Sequence, residues 1–159
     1  MSLTNYIRSC LCVLLLATTC ISSTAFAETK YVLVQSELNV RAKPSLGSHI
    51  YGRLFTGDSV NVTRTYRDWC YLEGLPSEEG HGWISSKYIV NDPVTQMYET
   101  SAIIHANGRV AIRDSVNGKR ISWVNPGDVV YVYGTSESWT VTDRGYVKTK
   151  YLIFQEVVE

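Results

Sequence analysis

Five short motifs occur twice along this chain in the same order, and that internal repeat limits the possible folds more than any other feature. Leu38-Asn-Val-Arg41 returns as Val110-Ala-Ile-Arg113 at an offset of 72 residues. Gly57-Asp58-Ser-Val60 returns as Gly127-Asp128-Val-Val130, and Trp69 as Trp139, both at an offset of 70. Gly82-Trp83-Ile84 and Lys87-Tyr88-Ile89 return as Gly145-Tyr146-Val147 and Lys150-Tyr151-Leu152, at an offset of 63. The offset changes only between motifs, so the first copy is two residues longer before its Gly-Asp pair and seven longer after its Trp. Length differences confined to connections are what two copies of one small fold produce.

Each copy reads as β-strand. Segments such as Tyr31-Val-Leu-Val34, Ser59-Val-Asn-Val-Thr63, Trp69-Cys-Tyr-Leu72 and Val129-Val-Tyr-Val-Tyr133 are short and rich in β-branched and aromatic residues. Turn pairs separate them: Gly57-Asp58, Asn107-Gly108, Asn117-Gly118 and Gly127-Asp128. Outside the N-terminus, no long window shows apolar residues at helical spacing. Short strands at such intervals suggest small barrels or sandwiches.

The first 27 residues stand apart. Arg8 precedes an apolar stretch from Cys10 to about Ala17, and the segment ends in Ala25-Phe26-Ala27, with small residues where a signal peptidase reads. The apolar run is shorter than the roughly 20 residues of a membrane span. The expectation is a signal peptide cut after Ala27, an exported protein in the periplasm or outside the cell, and no membrane span in the mature chain. The alternatives are an uncleaved N-terminal anchor and a lipoprotein lipidated at Cys20, whose preceding Ala17-Thr18-Thr19 fits a lipidation site poorly. Cleavage leaves 159 − 27 = 132 residues with a charge of 14 − 15 = −1. Cys10, Cys12 and Cys20 leave with the signal, so Cys70 stays alone and a disulfide framework is excluded.

Leu38-Asn-Val-Arg41, Gly57-Asp58, Val60, Val62, Trp69, Gly82-Trp83-Ile84 and Tyr88-Ile89, taken in order, resemble the bacterial Src-homology-3-like family, often called SH3b. The second copy departs from the family pattern at Ala111, where Asn is usual, and at Tyr146, where Trp is usual. The resemblance implies an all-β fold of two small SH3-like five-stranded barrels in tandem. The expected boundaries are 28–91 for the first barrel, 92–101 for a short linker and 102–159 for the second. A barrel of about 55 residues has a thin core and sits near the lower limit of unaided stability. The connection from Asn91 to about Met97 contains Pro93 and spans at most ~25 Å, at ~3.5 Å per residue. The two barrels are therefore expected to touch or to tumble nearly as one body.

Composition narrows the function. Fifteen basic and fifteen acidic residues without a run of either sign argue against nucleic acid as partner. No catalytic constellation stands out, and no enzyme, cofactor or metal site is expected. Cys70 follows Trp69 on a strand, so alternation points it into the core beside Leu72. His49, His81 and His105 lie on separate segments without metal-ligand spacing, and Glu78-Glu79 reads as a solvated turn.

By the resemblance, the ligand groove of each barrel holds the Trp that opens the third core strand and the Tyr of the closing motif. That implies Trp69 with Tyr88 in the first copy and Trp139 with Tyr151 in the second, with Tyr66 and Glu73 as further candidates near Trp69. Trp83 and Trp123 are expected to pack rather than bind. The first loop, Ala42 to Tyr51, has Lys43 and His49 but no acid, which disfavours proline-rich ligands held through an Arg. The family targets enzymes to the cell wall, so the implied partner is a peptidoglycan stem peptide or a wall-associated protein. A periplasmic inhibitor, immunity or adaptor protein is the alternative. The first copy, which keeps more of the pattern, is expected to dominate binding. Its loop Glu73–His81 is expected beside Trp69, where Glu73, Glu78 and Glu79 would form a negative edge for an amine-bearing ligand.

Overall fold

The computed structural model describes residues 27–76 and 78–155, so the segment read as a signal peptide lies outside the described residues except for Ala27. The first half of the described chain runs β1 (Glu28–Val32), β2 (Leu38–Arg41), β3 (Ile50–Leu54), β4 (Ser59–Tyr66), β5 (Trp69–Glu73), β6 (His81–Ser85), a 3-10 turn (Ser86–Tyr88) and β7 (Ile89–Val90). The second half runs β8 (Thr95–Ile104), β9 (Val110–Arg113), β10 (Arg120–Val124), β11 (Val129–Thr135), β12 (Trp139–Thr142), β13 (Gly145–Lys148), a 3-10 turn (Thr149–Tyr151) and β14 (Leu152–Phe154). Among the described residues, the two 3-10 turns are the only helical pieces.

The strands form two sheets, ordered β3-β2-β6-β5-β4-β1-β7 and β10-β9-β13-β12-β11-β8-β14. Each strand of the second sheet thus takes the place of the strand seven earlier in the first. Seven segments stand in each sheet where five were expected. The additional ones are entry and exit strands: β1 pairs with both β4 and β7, and β8 with both β11 and β14. Only residues 91–94 connect the sheets without strand structure. Residues 95–101 of the expected linker belong to β8, whose Thr95 and Gln96 pair with Thr135 and Gly134.

The repeated Gly-Asp pair builds the same turn twice. Gly57 has φ +98° and donates its N–H to the Val32 carbonyl, while the Asp58 carboxylate accepts from the Phe55 N–H at 2.8 Å. Gly127 has φ +90° and donates to the Ile104 carbonyl, while the Asp128 carboxylate accepts from the Asn125 N–H at 2.9 Å. A positive φ carries no penalty for glycine, and the carboxylate satisfies a backbone donor where the strands diverge.

Each sheet curls over its own core. Val32, Leu38, Val40, Val60, Val62, Cys70, Leu72 and Ile84 fill the first; Ile104, Val110, Ile112, Val124, Val130, Val132 and Val147 fill the second. Alternation explains the selection, since in β4 Val60 and Val62 point inward while Ser59 and Asn61 face solvent. A third buried cluster joins the halves: Leu33 and Val90 from the first with Trp139, Val141 and Tyr146 from the second. The Tyr146 hydroxyl donates to the Leu33 carbonyl at 2.8 Å, the Val116 N–H donates to the Lys87 carbonyl at 3.0 Å, and the Ser138 hydroxyl donates to the Asp92 carboxylate.

Candidate functional site

In β5, alternation sends Cys70 and Leu72 inward and leaves Trp69, Tyr71 and Glu73 on the outer face. The 3-10 turn after β6, in which the Lys87 N–H donates to the Ser85 hydroxyl, carries Tyr88. Trp69 and Tyr88 thereby line one groove of 360 Å³, together with Arg41, Glu37 and Leu46. The second half closes one end of it. Asp114 and Tyr146 also line the groove, and the Tyr146 ring lies 6.2 Å from that of Tyr88. The acid missing from the first loop is therefore supplied by the other half of the chain.

The other two candidates in the first half lie elsewhere. Tyr66 sits across from Trp69 at the β4–β5 hairpin, with the Arg67 guanidinium 5.3 Å over its ring, and lines neither groove. Glu73 pairs with His81 at the far end of β5, four residues from Trp69. At ~3.3 Å per residue that is roughly 13 Å away, so the acidic loop after Glu73 does not border the Trp69 groove as expected. The extended strand carries the loop to the opposite end of the sheet.

A second groove, of 820 Å³, lies at the equivalent place in the second half. Trp139 and Tyr151 both line it. Trp139 is nevertheless only 3% exposed, because it belongs to the cluster between the halves and the Lys148 ammonium lies 3.9 Å over its ring. The expectation of an open aromatic face at Trp139 is thus corrected by its burial. Trp123, expected to pack, is 45% exposed on the groove wall, with the guanidiniums of Arg120 and Arg109 at 4.6 Å and 5.3 Å from its ring centre. The other expected packing residue, Trp83, stays half-buried on the outer face of the first sheet; its counterpart Tyr146 takes the place between the halves. The second groove is also lined by Arg113, Lys148, Lys150 and His105 and, among the described residues, by no acidic one.

Sequence reasoning missed a further cluster on the outer face of the first sheet. Tyr71 stacks near Trp83 at 5.1 Å and His81 at 5.8 Å, Tyr51 lies between His81 at 6.0 Å and His49 at 5.9 Å, and the Arg64 guanidinium sits 4.1 Å over Tyr71. The signal was present in the alternation of β5 and β6, which places Tyr71 and Trp83 on one face. Only the cross-strand register, Tyr71 opposite Trp83 and Glu73 opposite His81, brings the rings together.

Cys70 is 3% exposed, and burial pushes its thiol above the ordinary value, with Lys30 pulling weakly the other way. Among the described residues no three His, Cys, Asp or Glu side chains gather as a metal-binding group, and no helix is long and apolar enough to cross a membrane.

No curated protein matches this sequence. Two solved structures are similar at low identity: NlpC1 from Trichomonas vaginalis, 11% identical with a TM-score of 0.35, and NlpC2 from the same organism, 12% identical with a TM-score of 0.34. The similarity covers 87% and 86% of this chain but 50% and 52% of theirs, so the chain spans about half the length of those proteins. Residues 36–90, which contain β2 to β7 with Trp69 and Tyr88, match the family described as bacterial SH3 domain.

Proposed function

We propose that this protein is an exported, non-catalytic binding module of the cell envelope, built as two SH3-like barrels in tandem, and that it recognises a peptidoglycan stem peptide or a wall-associated protein. One observation carries the reading: an aromatic-lined groove lies at the same place in each half, offering Trp69 with Tyr88 in the first and Tyr151 with Trp123 in the second. The bacterial SH3 match over residues 36–90 gives the first groove its expected class of ligand. Aromatic side chains suit such ligands because they bury a large area with few rotamers to lose. The non-catalytic part is supported by Cys70, whose thiol is buried and held in its neutral, unreactive form.

Co-sedimentation of the purified protein with purified sacculi, free of other protein, tests the reading. Retention that falls on Trp69→Ala, in a variant that still melts cooperatively, is the expected result. Passage through the sacculi, with recovery of one protein partner at near-equal stoichiometry from the envelope fraction, would replace wall binding by the inhibitor or adaptor role.

A further inference from the structure

The two grooves occupy equivalent places but differ in charge. Residues 28–91 hold seven basic and seven acidic residues, 7 − 7 = 0, and residues 102–159 hold seven basic and six acidic, 7 − 6 = +1, so the totals of the two copies are nearly alike. The difference lies in placement, because the basic residues of the second copy gather around its groove. Arg109, Arg113, Lys148 and Lys150 line it, Arg120 flanks it through Trp123, and among the described residues none of the five has a carboxylate within 4.0 Å. Glu137 lines an adjoining depression beside Lys148 and Lys150, and Asp92 another beside Lys148, and neither forms an ion pair with these lysines. The first groove, by contrast, holds Glu37 and Asp114 around a single Arg41.

Like charges drawn together without a counter-charge repel one another, and the arrangement is relieved when an anion enters. The aromatic rings hold the cations in position for that. The Arg109 and Arg120 guanidiniums both lie over Trp123, at 5.3 and 4.6 Å from its ring centre, Lys148 stands over Trp139, and Lys150 stands 4.9 Å over Tyr151. A stacked guanidinium keeps its N–H edge free for a bidentate contact with a carboxylate. Arg113 is held differently, by donating to the Gly118 carbonyl at 2.6 Å.

We propose that the second groove is a binding site for an acidic peptide, with Arg109, Arg120, Lys148 and Lys150 taking its carboxylates and Trp123 and Tyr151 taking its apolar side chains. The inference rests on the reading of the grooves as binding sites and adds the charge class of one ligand. A uniformly charged phosphate polymer fits less well. The basic surface is confined to one groove of 820 Å³, and Ala106, Val110 and Ala111 contribute apolar lining between the cations. A polyanion rewards a continuous basic stripe instead.

Calorimetric titration of the purified protein tests the proposal with three probes: a short blocked peptide alternating Glu and Leu, the same peptide with Gln for each Glu, and inorganic triphosphate. The acidic peptide is expected to bind saturably, and more weakly as salt rises. The Gln peptide is expected to bind at least about tenfold more weakly, the factor carried by one charge-assisted hydrogen bond. Lys150→Gln and Arg120→Gln alter exposed side chains and are each expected to lower affinity for the acidic peptide by about three- to tenfold. Arg144→Gln, the same charge change at a residue paired with Asp128 and outside the groove, is expected to leave it unchanged. Equal affinity for both peptides, no saturable binding of the acidic one, or its displacement by triphosphate at lower concentration would overturn the proposal. Acidic-peptide binding in a protein that sacculi do not retain supports this site while removing the wall reading.

Discussion

Tyr146 stands where the first half has Trp83, and the exchange changes what the position does. Trp83 lies half-buried on the outer face, whereas Tyr146 is buried between the halves and donates its hydroxyl to the Leu33 carbonyl at 2.8 Å. Burial pushes the Tyr146 phenol well above its ordinary value of 10.0, with a smaller contribution from Tyr88. A raised folded-state value means that the neutral phenol's contribution is complete below about pH 10 and is lost as pH rises beyond it, because the unfolded chain ionises first. Urea unfolding at a series of pH values should therefore show stability declining above about pH 10 more steeply in the wild type than in Tyr146→Phe. At neutral pH the same variant should be about 0.5–1.5 kcal/mol less stable, the net value of one buried hydrogen bond. Trp139 carries a larger consequence. Its indole fills the joint core, so Trp139→Ala should cost about 3–5 kcal/mol of stability, measured by the same unfolding experiment. Trp69→Ala, at a half-buried groove position, should affect stability less and ligand binding more.

At the scale of strands, one cross-sheet row explains why the halves differ. In the first sheet the row across β4, β5, β6 and β2 reads Arg64, Tyr71, Trp83, Arg41. In the second, the same row across β11, β12, β13 and β9 reads Gly134, Val141, Tyr146, Arg113. The second row is smaller and more apolar, and it packs on Leu33 and Val90. Gly134 permits that approach, since a Cβ there would lie 2.4 Å from the Thr56 γ-methyl. Thr56 cannot easily yield, because its hydroxyl is bonded to both the N–H and the carbonyl of Val34. Gly134→Ala should therefore destabilise the protein by about 1–3 kcal/mol, as overpacking does, which a thermal melt would register. The repeat and the strand alternation made β2, β4 and β5 legible, along with the inward Cys70. The orientation of Trp139 was not legible. All four residues of β12 are buried, one face by its own core and the other by the first half, so the polar–apolar alternation that marks facing is missing. Its threonines confirm the double burial: Thr140 bonds Thr135 at 2.8 Å and Thr149 at 3.0 Å, and Thr142 donates to the Gly145 carbonyl at 2.8 Å. The exposure of Trp123 escaped for a related reason, since β10 has four exposed residues before Val124 and no alternation.

In the whole molecule, two copies of one sheet arrangement are joined so that the second half narrows the first groove and leaves its own open. The repeat showed where both grooves lie but not this asymmetry. Asp114 enters the first groove from a loop of the other half, and nothing in the repeat encodes a contact between copies. The charge difference between the grooves was not readable by counting, because the two copies total 0 and +1; it arises from which side chains the fold gathers at each groove. The chain also supplies its own reporters, because its four tryptophans are divided between the surfaces in question. Trp69 lines the first groove, Trp123 the second, Trp139 the joint between halves and Trp83 the outer aromatic face. The most direct measurement of ligand binding in the grooves is nuclear magnetic resonance of the four indole N–H signals during titration with solubilised stem peptides. Progressive shifts at Trp69, Trp123 or both, with Trp83 unmoved, are the expected result of binding in the grooves. A shift at Trp83 while Trp69 and Trp123 stay still would place the ligand on the outer face of the first sheet and contradict groove binding.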